Sequence, residues 1–97
     1  MNTYVIFRRE GWRSGEELQA AAARSKDAGD QMADDIRWIR SYVVGEPSGD
    51  VGTVCIYQAS SPEAIRRHAG AADLPVDEII EVVDTVVLQP DPLAVTR

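Results

Sequence analysis

Two segments able to open as helices, each headed by a serine, divide this chain into a set alternation of helical and extended stretches. Ser14, with Glu17 three residues on, forms a capping box in which each side chain satisfies a free amide of the first turn. Ser61 followed by Pro62 is a second start, because a proline at the first helical position gives up a donor that has no partner there. The first helix runs through Leu18, Ala21, Ala22 and Ser25 at the spacing of one face, and ends between Gly29 and Met32. The second carries Ile65, His68, Ala69 and Ala72 on one stripe, with Gly70 and Leu74-Pro75 closing it.

Around these helices lie runs of β-branched and aromatic residues. Tyr4-Val5-Ile6-Phe7 begins a first strand that ends near Glu10, and Ile36 to Val44 is a second. The turn-dense stretch Gly45 to Asp50 joins the second directly to a third strand, Thr53 to Ala59, so these two form an antiparallel hairpin. Ile79 to Leu88 reads as the fourth, and a Pro-containing tail follows from Gln89. The order β-α-β-β-α-β predicts an α+β, ferredoxin-like domain, an antiparallel sheet with both helices on one face. At 97 residues there is room for one core, so residues 1–90 are expected to form a single domain and 91–97 a C-terminal tail. Such a sheet has a second face with no helix on it. Two copies packing those faces together would make a dimeric α/β-barrel type of assembly.

Charge and cysteine usage narrow the partners. The net charge of −6 repels phosphate backbones and anionic lipid surfaces, which argues against nucleic acid and against membranes. No apolar run approaches the roughly 20 residues that cross a bilayer. Cys55 is the single cysteine, so no intrachain disulfide can form. The N-terminal residues read as a strand and not as an export signal, and the expected compartment is the cytoplasm.

Strand residues alternate sides, so parity sorts the sheet. Giving the purely apolar set (Val5, Phe7, Ile39, Val43, Val54, Ile56) to the helices leaves the bare face with Tyr4, Arg8, Glu10, Trp38, Arg40, Tyr42, Cys55 and Tyr57. Aromatic and Arg residues together are what interface cores and binding pockets use. The expected ligand pocket is therefore Glu10, Trp38, Arg40, Tyr42, Cys55 and Tyr57, unless a bulge inverts part of the list.

His68, the single histidine, has two readings: a hydrogen-bonded structural residue on its helix stripe, or a metal ligand or general base. One His and one Cys cannot build an all-His/Cys metal site, so a metal at His68 would need carboxylates, water or a dimer mate. Cys55 reads as a small buried hydrophobe, with Arg40 the one cation on its assigned face that could activate it. By the same parity Cys55 and His68 fall on opposite sides, against a nucleophile–base pair. Glu10 fits a cross-strand ion pair with Arg8 or Arg40 better than a base. No Gly-rich phosphate loop, Cys-x-x-Cys, His-Glu-x-x-His or Gly-x-Ser-x-Gly occurs, which removes the enzyme classes built on them.

The segments Trp38-Ile39-Arg40-Ser41-Tyr42-Val43, Cys55-Ile56-Tyr57-Gln58-Ala59 and Glu63-Ala64-Ile65-Arg66-Arg67-His68-Ala69 together resemble a family of small ferredoxin-like proteins described as nickel-binding. The likeness continues through Leu74-Pro75 and Ile80-Glu81-Val82. It implies a homodimer and nickel as the bound metal, with His68, Cys55, Tyr42, Tyr57 and Glu10 at the matching polar positions. The expected function is thus a non-enzymatic nickel- or small-ligand-binding dimer. The alternative is a small dimeric α/β-barrel enzyme, of cyclase, isomerase or monooxygenase type, holding a hydrophobic substrate over the open sheet face.

Overall fold

The computed structural model describes residues 1–90, so the expected tail at 91–97 lies outside the described residues. The elements follow in the expected order: β1 (Asn2–Trp12), α1 (Gly15–Gln31), β2 (Ile36–Gly45), β3 (Val51–Ala59), α2 (Pro62–Ala72) and β4 (Glu78–Glu81). All pairings are antiparallel and the sheet order is β2-β3-β1-β4, consistent with the ferredoxin-like expectation. Both serine caps form: Ser14 Oγ accepts from the Glu17 amide, and Ser61 Oγ from the Ala64 amide. At the far end of α2, Asp73 takes a left-handed conformation (φ 55°), and Arg24 of α1 donates to the Ala72 carbonyl at 2.8 Å. A cation there complements the negative end of the helix dipole and ties the two helices together.

The fourth strand is shorter than the run Ile79 to Leu88 suggested. β4 is an edge strand whose one neighbour is β1, and its last ladder bond joins the Val82 amide to the Thr3 carbonyl, beside the start of β1. Val83, Val86, Val87 and Leu88 are largely exposed.

The two faces of the sheet are the reverse of the parity assignment. Tyr4, Ile6, Cys55, Tyr57 and Ala59 are buried beneath the helices, together with Arg8 and Thr53. Val5, Phe7, Val54 and Ile56 lie half-buried on the opposite, helix-free face. The cause is the size of the helix residues. The inward positions are Ala21 and Ser25 on α1 and Ala64, Ile65, His68, Ala69 and Ala72 on α2, most of them small. A helix with a small face brings little volume to a core that must still fill to close-packed density, so the sheet supplies the large side chains.

A bulge in β2 splits its residues further. Trp38 pairs with Tyr57 but Arg40 pairs with Ile56, so Ile39 is the extra residue. Trp38, Ser41 and Val43 therefore share the side of their partners Tyr57, Cys55 and Thr53, though Trp38 and Val43 stay exposed, while Arg40 and Tyr42 go to the open side.

A second irregularity lies in β1, between Arg8 and Trp12, where Glu10 has φ 50°. Glu46, from the β2–β3 loop, fills it. Its carboxylate accepts from Arg9 Nε and Nη2 and from the Glu10 amide at 2.7 Å. A Cβ on Gly52 would stand 2.7 Å from the Arg8 carbonyl oxygen and 2.9 Å from Glu46 Oε2, so no other residue fits there. The Arg9 hydrogen bonds hold the Glu46 carboxyl below its ordinary value. Its stabilisation is present above the unfolded carboxylate range and is lost as pH falls through the folded value. Glu46→Gln is expected to lower the melting temperature at pH 7, and the gap to wild type should close as the pH is brought below about 4. A gap that does not change with pH in a calorimetric series would contradict the charged role.

Candidate functional site

β2 is an outer strand of the sheet, with most of its residues exposed. The space left between α1 and β2 is a cavity of about 600 Å³ that opens to one side. This is within the ordinary range for small-molecule sites, roughly 300–1,000 Å³. Its walls are Leu18, Ala21, Ala22 and Ser25 from α1, with Trp12, Trp38 and Tyr57 as aromatic surfaces. Arg8, Ser41, Thr53 and Cys55 form the polar part of the floor.

Tyr57 organises this region. Its hydroxyl shares a 3.1 Å hydrogen bond with Ser25 Oγ, its ring stacks on Trp38 with centroids 6.1 Å apart, and His68 meets its edge at 5.5 Å. The Arg8 guanidinium carbon lies 6.0 Å from the same ring centre. Burial raises the Tyr57 hydroxyl above its usual range, against the opposing effects of Ser25 and Arg8, so the group is a neutral donor and acceptor.

A row of hydrogen bonds runs along the floor in one direction. Trp38 Nε1 donates to Ser41 Oγ at 2.8 Å, Ser41 Oγ donates to Cys55 Sγ at 3.0 Å, and Cys55 Sγ donates to Thr53 Oγ1 at 3.3 Å. Cys55 is thus buried and hydrogen-bonded on both sides, and it faces the same side of the sheet as His68, not the opposite one as parity had it.

The expected pocket residues separate. Trp38, Cys55 and Tyr57 line the cavity, and Arg40 borders it just past the β2 bulge. Tyr42 is across the sheet beside Val54. Glu10 is exposed at the β1 bulge, its amide donated to Glu46. The open face expected to carry the pocket has Val5, Phe7, Val54 and Ile56 instead. Leu18, Ala22 and Trp12 were missed as lining residues. Leu18 and Ala22 are a one-face pair, but nothing in their spacing says that the strand opposite them stands off.

His68 is wholly buried, with Nε2 2.9 Å from the Ser25 carbonyl oxygen. The carbonyl can only accept, so Nε2 carries the hydrogen and Nδ1 is left without a hydrogen-bond partner among the described residues. Burial holds the imidazole below its ordinary value, and the nearby Arg8 charge acts in the same direction. These surroundings do not fit a metal: one ring nitrogen is committed, no carboxylate is adjacent, and a cation stands close by. Among the described residues no group of three His, Cys, Asp or Glu side chains could hold a metal ion. No helix among them is long and apolar enough to cross a membrane.

Residues 4–82 match the family described as "Nickel responsive protein SCO4226-like". The chain belongs to that family. In the solved structures the chain is similar to "SCO4226 from Streptomyces coelicolor A3(2)", with a TM-score of 0.68 and 18% identity over 87% of this chain and 99% of that one. At that identity the likeness establishes the fold. No curated protein matches.

Because the folded imidazole is held low, the unfolded chain takes up its proton first. Stability is therefore complete above about pH 6.5 and falls as pH is lowered through that value toward the folded one. His68→Gln, whose amide can still donate to Ser25, should flatten the fall in melting temperature between pH 7 and 5. Calorimetric titration with Ni²⁺ should give the same isotherm for this variant and wild type, and loss of binding in the variant would make His68 a ligand after all.

Proposed function

We propose that this member of the nickel-responsive family is a non-enzymatic, homodimeric small-ligand-binding protein, with its ligand held between α1 and β2. The cavity is the observation that carries this reading: it is large enough for a bicyclic organic molecule, its walls are mainly apolar and aromatic, and a few polar groups converge on its floor. Nickel enters through the family's description alone. The donor set around His68 does not support a resident metal, and no step is assigned to one. Cys55 and His68, the two side chains that could serve as nucleophile and base, are each engaged in a structural hydrogen bond, which favours binding over turnover.

The proposed partner is a second copy of the chain. The helix-free face has Val5, Phe7, Val54 and Ile56 half-buried at its centre and Tyr42 and Ile80 exposed around them. The apolar run Val83 to Leu88 extends beyond its edge without a pairing strand. Two such faces packed together would each cover the other in the barrel-like manner expected from the element order, and burying about 800 Å² per copy would suffice for a stable dimer.

Two measurements test these claims separately. Tryptophan fluorescence titration with 1-naphthoate and 1-naphthamide should show saturable binding of at least one of them. Ala22→Trp, which fills the cavity from α1, should weaken it at least about tenfold, or roughly 1.4 kcal/mol. Failure of both compounds to bind overturns the cavity reading. In sedimentation, wild type should run as a dimer and Ile56→Lys as a monomer; a wild-type monomer, or a variant that remains dimeric, overturns the open-face interface.

A further inference from the structure

Arg8 is the unusual residue of this core. It is 1% exposed, and among the described residues no carboxylate lies within ion-pair distance of it. Nη1 donates to the Pro75 carbonyl oxygen at 2.7 Å, while Nη2 is buried with no hydrogen-bond partner. An arginine stays protonated in such a place, so a full positive charge is enclosed without a counter-ion. An enclosed charge is costly unless it is paired, and natural cores keep one seldom without a use for it.

The cavity adjoins this charge, and a second donor stands beside it. Arg8 and Thr53 are direct cross-strand partners on the cavity side of β1 and β3, which places their Cβ atoms about 5 Å apart. The directed row from Trp38 through Ser41 and Cys55 ends at Thr53 Oγ1 as acceptor. Each hydroxyl or thiol along it has spent its hydrogen on the next, so the hydroxyl hydrogen of Thr53 is the one left to give. Its cross-strand partner Arg8 brings Nη2, a charged donor that lacks an acceptor.

We propose that the cavity is selective for small aromatic carboxylates, the carboxylate seated on Arg8 Nη2 and Thr53 Oγ1 and the ring held by Trp38 and Tyr57. This rests on the cavity being the ligand site and adds the class of ligand. The anion supplies the missing counter-charge, and a guanidinium–carboxylate contact made by a buried arginine is stronger than the same contact at the surface. A neutral amide can offer its carbonyl oxygen to Nη2 but supplies no counter-charge, so the carboxylate is preferred.

The test compares 1-naphthoate with 1-naphthamide, which share size and shape and differ in charge, by fluorescence or calorimetric titration of the intact protein. Naphthoate should bind at least about tenfold tighter. Thr53→Val should reduce that preference and Arg8→Met should abolish it, each lowering naphthoate affinity more than naphthamide affinity. Arg8→Met should also hold or raise the melting temperature, because it removes an unpaired buried charge. Equal binding of the two compounds by wild type overturns the carboxylate assignment and leaves the cavity reading standing. Binding of neither overturns both. A preference for naphthoate that survives both substitutions overturns the assignment to Arg8 and Thr53.

Discussion

The Tyr57 ring is the contact on which the helix side of the sheet depends. It joins α1 through Ser25, α2 through the edge of His68, β2 through the stack on Trp38 and β1 through the Arg8 guanidinium. Ser25 closes the circuit, since its side chain holds Tyr57 while its carbonyl takes the His68 proton. Both helices are thus registered to the sheet by directional contacts and not by apolar packing alone. Where such a network is complete it specifies one arrangement, because partial satisfaction of buried polar groups is costly. Among the described residues the Arg8 Nη2 and His68 Nδ1 atoms are the two places where it is incomplete. Arg8 borders the cavity.

Element order and helix caps were legible in the sequence because they depend on local chemistry. Ser14, Glu17, Ser61 and Pro62 mark helix starts whatever the rest of the fold does, and the turn formers from Gly45 to Asp50 had to join neighbouring strands. The hidden stripe Ile65, His68, Ala69, Ala72 was legible too, since helical spacing alone reveals it. Which side of the sheet that stripe would cover was not. Apolarity suggested Val5, Phe7, Val54 and Ile56 as the inner set, and volume decided otherwise: helices faced with alanine and serine need tyrosine-sized partners. The same inversion moved Trp38, Cys55 and Tyr57 into a cavity between layers, away from an open surface. Tyr42 stayed outside and Arg40 at the cavity's border because a single extra residue, Ile39, changes the parity of β2 halfway along.

Small helix faces also account for the cavity. An α1 surface of Leu18, Ala21, Ala22 and Ser25 lines the gap with mostly small side chains, which leave the space toward the outer strand unfilled. The gap therefore follows from the alanines of the first helix, the feature that made that helix easy to recognise. Helix propensity and site formation here have one origin, whereas the charge at the bottom of the gap has no part in either.

The Glu46 plug has a consequence for how the hairpin tolerates change. Its carboxylate bonds to Arg9 and the Glu10 amide, its amide donates to the Asp50 carbonyl at 2.9 Å, and its carbonyl accepts from the Gly49 amide at 3.0 Å. One residue thus ends the ladder, closes the loop and fixes the kink in the neighbouring strand. Pro47 and Ser48 lie beyond that closure. Because closing a longer loop costs only slowly more entropy, this tip is where the fold can accept a graft or a label without breaking the Glu46 closure.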